Sequence, residues 1–272
     1  MRRGAFGGAY RAPRGRAKFV ARAPRSCRSR RRRYVEEEVT QHRFAPLLAA
    51  LALVSALPSA RAGTEPPAKR RYVVAALGDS LTDTRVGGGR YMAMLAKRCP
   101  ESRFDAYGVG GQQTRHLRWR LTQDLFGEGL SGAAAKKPPY THVVLLGGVN
   151  DLSGGVVDDA RLAKTKEHLG WMYKTARERG VSVVALTVPP WGGVRGEHDR
   201  AVTADINGWI KEQGTRGAVD HVVDVHPLLA CGPNESLCEP LRRVPRDPIH
   251  WGEEGHALVA DALFRGVFSD CE

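Results

Sequence analysis

The 272-residue chain lacks several features that would assign it to common functional classes. No apolar run approaches the roughly 20 residues that a membrane-spanning helix needs; the most apolar stretch, Ala45–Leu57, has 13. No Cys/His pairs stand at zinc-like spacing, His226 included, so no metal site is expected. Gln113 stands where a dinucleotide-binding glycine run starting at Gly108 needs its last glycine. No internal repeat is present. Acidic residues are scarce at one end: residues 1–62 hold 15 Lys/Arg and 3 Asp/Glu. The other 210 residues carry 27 basic and 26 acidic side chains, so the formal +13 charge belongs almost wholly to the leader. A nucleic-acid partner for the remainder loses its support, because phosphate binding needs a clustered basic surface.

The leader ends in an export pattern. Ala45–Leu57 has the length of a signal-peptide core, and Ala60-Arg61-Ala62 offers a small-x-small cleavage site. Export to the periplasm or medium after cleavage near Ala62 is therefore expected. No stable membrane anchor is expected, and no cysteine lies beside the cut to carry a lipid. Residues 1–43 are long and Arg-rich for a leader, so translation starting at Val35 or Val39 is one alternative and a basic tail is another. Residues 1–62 are accordingly read as leader and signal peptide, and 63–272 as one domain. Four cysteines remain after the leader, namely Cys99, Cys231, Cys238 and Cys271. In an oxidising compartment two disulfides are expected. Cys231 and Cys238 flank a turn-rich loop and form the favoured pair, leaving Cys99 with Cys271; buried free thiols are the alternative.

The domain alternates strand-like and helix-like runs. Strands are predicted at Tyr72–Leu77, Arg103–Tyr107, His142–Gly147, Val181–Val188 and His221–Val225. Helices are predicted near Tyr91–Arg98, Thr114–Phe126, Asp159–Arg179, Ala201–Gln213 and Glu253–Phe268, with loops over 127–139 and 189–200. Such alternation with near-continuous apolar strands implies an α/β fold. The expected architecture is a three-layer α/β/α sandwich around a flavodoxin-like parallel five-stranded sheet. Ligands of such sheets bind beyond the carboxyl ends of the strands.

Four polar blocks fall at those ends. Gly78-Asp79-Ser80-Leu81 follows the first strand and Gly108-Val109-Gly110-Gly111 the second. Gly148-Val149-Asn150-Asp151 follows the third, and Asp247-Pro248-Ile249-His250 precedes the last helix. A nucleophile, a base with a carboxylate beside it and oxyanion donors specify acyl transfer. In these blocks the chain resembles the SGNH hydrolases, the GDSL-type esterases and lipases, from Tyr72 to the C-terminus. That resemblance makes Ser80 the nucleophile, His250 the general base and Asp247 the residue that orients His250. It also assigns the oxyanion hole to Gly111, Asn150 and the Ser80 backbone N–H. Asp79 and Asp151 are expected to support the site.

Blander roles stand beside these: a helix cap for Ser80, an Asp-Pro turn for Asp247, a surface turn for Asp151. The chain departs from the family where Ala106, Gly110 and Gln112 replace Asn, Ser and Asp. Trp251 is expected to wall the pocket, and Trp191 to pack or to line an acyl site. The α/β-hydrolase elbow Gly-x-Ser-x-Gly does not apply, because Thr82 stands at the second glycine. The expected activity is hydrolysis of short acyl esters on a small-molecule or polysaccharide alcohol, with no cofactor. Alternatives are a lysophospholipase or thioesterase for longer chains, or a non-catalytic binding module. Oligomeric state is not legible.

Overall fold

The computed structural model describes residues 69–153, 155–192 and 197–271. The expected leader, signal peptide and cleavage site lie outside them. The main sheet consists of β1 (Val73–Gly78), β2 (Arg103–Gly108), β3 (His142–Leu146), β4 (Ser182–Leu186) and β5 (His221–Val223). All pairings are parallel and the order is β2-β1-β3-β4-β5, the flavodoxin-like arrangement. The helices are α1 (Arg90–Arg98), α2 (Thr114–Phe126), α3 (Val149–Ser153), α4 (Asp159–Glu178), α5 (Glu197–Thr215), α6 (His226–Leu229) and α7 (Glu253–Leu263). α1 packs on α7, while α2 packs on α4 and α4 on α5.

The apolar runs explain the central strands. Val74–Leu77 in β1 and Val143–Leu146 in β3 are buried, as strands covered on both faces must be. β2 is a half-buried edge strand. β4 and β5 are shorter than the apolar runs that predict them. After Leu186 and Val223 the chain leaves the ladder, and Thr187 then holds the two strand ends together. Its Oγ1 donates to Asp224 Oδ1 at 2.9 Å and accepts from Val225 N at 2.9 Å. A two-stranded hairpin, β6 (Ala230–Cys231) with β7 (Ser236–Leu237), was not anticipated. α5 begins at Glu197 rather than Ala201, and the last helix ends in a π-turn over Phe264–Phe268.

Both expected cysteine pairs are present. Cys99 and Cys271 have Cα atoms 5.4 Å apart, and Cys231 and Cys238 5.2 Å apart. Among the described residues no helix is long and apolar enough to cross a membrane.

Candidate active site

β1 ends in a tight turn that lifts Ser80 to the carboxyl edge of the sheet. The N–H groups of Thr82 and Asp83 both donate to Asp79 O at 3.0 Å, and Leu81 N donates to Asp79 Oδ1 at 3.0 Å. The turn lies so close on the end of β2 that a Cβ at Gly108 would overlap the backbone of Thr82 and Asp83. Only glycine fits there.

Ser80 Oγ lies 2.9 Å from His250 Nε2, across 170 residues of chain. His250 Nδ1 stands 3.0 and 2.9 Å from the two oxygens of Asp247. Asp247 Oδ1 also accepts from the backbone N–H groups of Ile249 (3.1 Å) and His250 (3.0 Å), so the turn that carries His250 also fixes its partner. Burial alone would raise the Asp247 carboxyl. The two backbone donors and the imidazole outweigh burial and hold it below the ordinary range. Ser80, His250 and Asp247 are thus brought together in hydrogen-bonding order.

The glycine loop after β2 approaches from the other side. A Cβ on Gly110 would stand 3.8 Å from that of Ser80. Gly110 N is committed to Asp83 Oδ2 at 3.0 Å. Gly111 has φ +75°, and its N–H has no hydrogen-bond partner among the described residues. Ser80 N is likewise unpaired. Asn150, on the first turn of α3, gives one amide hydrogen to Gln112 O at 3.0 Å, and the other has no partner among the described residues. Gln113 Nε2 returns a bond to Asn150 O at 3.2 Å, joining the two loops. Unpaired donors near a nucleophile are what an oxyanion requires.

Asp79 and Asp151 are buried beneath this layer. Asp151 accepts from Thr114 N (2.9 Å) and Thr114 Oγ1 (2.7 Å), tying α3 to the start of α2; it is no surface carboxylate. Trp251 is buried and borders a tight void beside Ser80 and His250 that has no space for even a water-sized group. Trp191 is buried too, its Nε1 donating to Thr203 Oγ1 at 3.0 Å, which is the packing role.

Three supporting residues escaped the sequence. Asp83 accepts from Gly110 N and from Arg85. Its carboxyl is held down to about 2, chiefly by the Arg85 guanidinium against the cost of burial. Arg120 lies buried under the sheet edge. It donates to Gly78 O (2.6 Å), Tyr107 O (2.9 Å) and Gln112 Oε1 (2.6 Å) and pairs with Asp124. One signal was available: position 120 falls beside the inward stripe Leu117, Leu121, Leu125, where a lone arginine needs partners. Arg243 contacts both Asp247 Oδ2 and Val86 O. Among the described residues no group of three or more His, Cys, Asp or Glu side chains could hold a metal ion.

No curated protein sequence matches the chain. Solved structures do. A lipolytic protein of the G-D-S-L family from Desulfitobacterium hafniense DCB-2 is 19% identical with a TM-score of 0.56, over 72% of this chain and 99% of that one. A catalytic mutant of an acetylxylan esterase from Geobacillus stearothermophilus is 16% identical with a TM-score of 0.55, over 74% and 96%. A further acetyl xylan esterase is 19% identical with a TM-score of 0.54, over 72% and 99%. These likenesses establish the shared fold. The sequence pattern of the GDSL-like Lipase/Acylhydrolase family matches residues 76–258, from the last residues of β1 to the middle of α7. Since that match covers most of the chain, the protein belongs to the GDSL-like lipase/acylhydrolase family of ester-cleaving enzymes.

Proposed function

We propose that this enzyme is a serine ester hydrolase that works through an acyl-serine intermediate and acts on short acyl groups of the acetyl type. The observation that carries this function is the 2.9 Å contact between Ser80 Oγ and His250 Nε2, backed by Asp247 on Nδ1. Ser80 Oγ attacks the acyl carbon as His250 Nε2 takes its proton. Asp247 keeps the other imidazole proton on Nδ1 and stabilises the cation that forms. The oxyanion is bound by the N–H groups of Ser80 and Gly111 and by Asn150 Nδ2. His250 then gives its proton to the departing alcohol. Water attacks the acyl-serine with His250 again as base, and the acid leaves. Asp79 and Asp151 hold the turn and the helix that present these groups.

One observation favours a small acyl group: two proteins of like fold are acetylxylan esterases by name. We further read 63–272 as the hydrolase domain and 1–62 as a leader cleaved near Ala62. The two cysteine pairs fit an oxidising, exported location.

The test is turnover of nitrophenyl esters from acetyl to palmitoyl, of acetylated xylan and of lysophosphatidylcholine, by the wild type and Ser80→Ala. The expected result is hydrolysis fastest on acetyl esters and absent from a normally folded Ser80→Ala. Activity retained without Ser80 would remove the serine mechanism. A maximum at long chains would replace the short-acyl assignment with a lysophospholipase or thioesterase. No turnover on any substrate would leave a binding module.

A further inference from the structure

We propose that Arg243 is a positioning residue of this esterase, clamping the Asp247 carboxylate to the chain that follows the Ser80 turn. The inference rests on the serine mechanism proposed above. The guanidinium joins two segments 157 positions apart. One of its nitrogens donates to Val86 O at 2.8 Å, at the end of the 3-10 turn Thr84–Val86, and the other donates to Asp247 Oδ2 at 3.0 Å. The Arg243 backbone works on the same loop, its N–H donating to His250 O at 2.9 Å. Loop 243–250 is thus closed at its neck by the backbone and pinned across its middle by the side chain.

The two oxygens of Asp247 are held differently. Among the described residues Oδ1 has two backbone donors besides the imidazole, whereas Oδ2 has Arg243 alone besides the imidazole. Without Arg243 the carboxylate is fixed on one side only and can turn about its own axis. His250 Nδ1 then loses one of its two acceptors, and Nε2 loses its aim at Ser80 Oγ.

Other ionisable groups border this site. Asp79 lies under the Ser80 turn, its carboxyl pushed up to about 7 chiefly by burial. The Asp83–Arg85 pair sits on the 3-10 turn, and His256 on α7 lines the same void, driven down to about 4 by burial. Arg246 lies on the loop itself. All of these are the same in wild type and Arg243 variants, so a difference between the two reports Arg243.

The experiment measures kcat and KM of the full chain on 4-nitrophenyl acetate from pH 5 to 9, for wild type, Arg243→Gln, Arg243→Lys and Ser80→Ala, with thermal melts as a folding control. Arg243→Gln is expected to lose about tenfold in kcat, the size of a charge-assisted hydrogen bond felt in the transition state. KM stays within about twofold, because no substrate contact is removed. Arg243→Lys lowers kcat less, since an ammonium can keep one of the two bonds but cannot fork to two acceptors. A folded Arg243→Gln with wild-type kcat overturns the proposal. Should Arg243→Gln melt early, a wild-type kcat in Arg243→Lys overturns it equally. Activity surviving in Ser80→Ala is a separate failure, that of the serine mechanism.

Discussion

Asp79 carries its charge at a cost. The side chain is wholly buried at the end of β1, with Oδ1 on the Leu81 N–H and Oδ2 without a hydrogen-bond partner. Burial, with the negative charge of Asp151 adding, raises its carboxyl to about 7. A folded-state value above the ordinary one means that the folded chain keeps a proton the unfolded chain releases. Its contribution to stability is therefore full below about pH 4 and is lost as pH rises towards 7. Asp79→Asn keeps an acceptor for Leu81 N and removes the charge. The variant is expected to gain on the wild type from pH 4 upwards, by on the order of 4 kcal/mol at pH 8. Urea unfolding of both proteins at pH 5 and pH 8 measures it, and a difference independent of pH would show that Asp79 is ionised when folded. His256 has the opposite slope, its buried neutral ring losing stability as pH falls from about 6.5 towards 4. The comparison between variants cancels that slope.

At the scale of elements, α2 is started partly by a group outside itself. Gln113 N donates to His116 Nδ1 at 3.1 Å, and the two first donors of the helix, both on Thr114, go to Asp151 on α3. A carboxylate there also complements the positive end of the helix. Asp151→Ala strands the buried Thr114 N–H and hydroxyl and is expected to cost about 2–3 kcal/mol. Its unfolding midpoint in urea reports this, and an unchanged midpoint would mean that water replaces the carboxylate. The same coupling explains what the sequence could and could not disclose. β1 and β3 were legible because their apolar runs are buried on both faces. The ends of β4 and β5 were not, because Val188 and Val225 continue an apolar pattern after the ladder has ended. The β6–β7 hairpin has two residues per strand, too few to show any alternation. Ser80, Asp247 and His250 were legible because each sits in a short contiguous block. Asp83, Arg120 and Arg243 were not, since the contacts that tie them into the site reach 27, 42 and 157 positions along the chain, and only the inward stripe beside Arg120 gave a local sign.

At the scale of the molecule, the Cys99–Cys271 pair closes the largest loop, with 172 residues of separation. Loss of that cross-link frees the unfolded chain, so the double variant Cys99→Ala/Cys271→Ala is expected to lose about 4 kcal/mol. The Cys231–Cys238 link spans only 7 residues and its removal costs less, because closure entropy grows with loop length. Urea unfolding of the two double variants side by side tests the order; equal losses would contradict it. The long link has a definite place. Cys99 precedes β2, and Cys271 pairs with Arg70 ahead of β1, so the staple lies at the amino ends of the strands. Ser80, Gly111 and Asn150 all lie at the carboxyl ends. The long cross-link and the groups read here as the catalytic apparatus thus sit at opposite ends of one sheet. A substitution in the loops around Ser80, Gly111 and Asn150 leaves that covalent tie untouched.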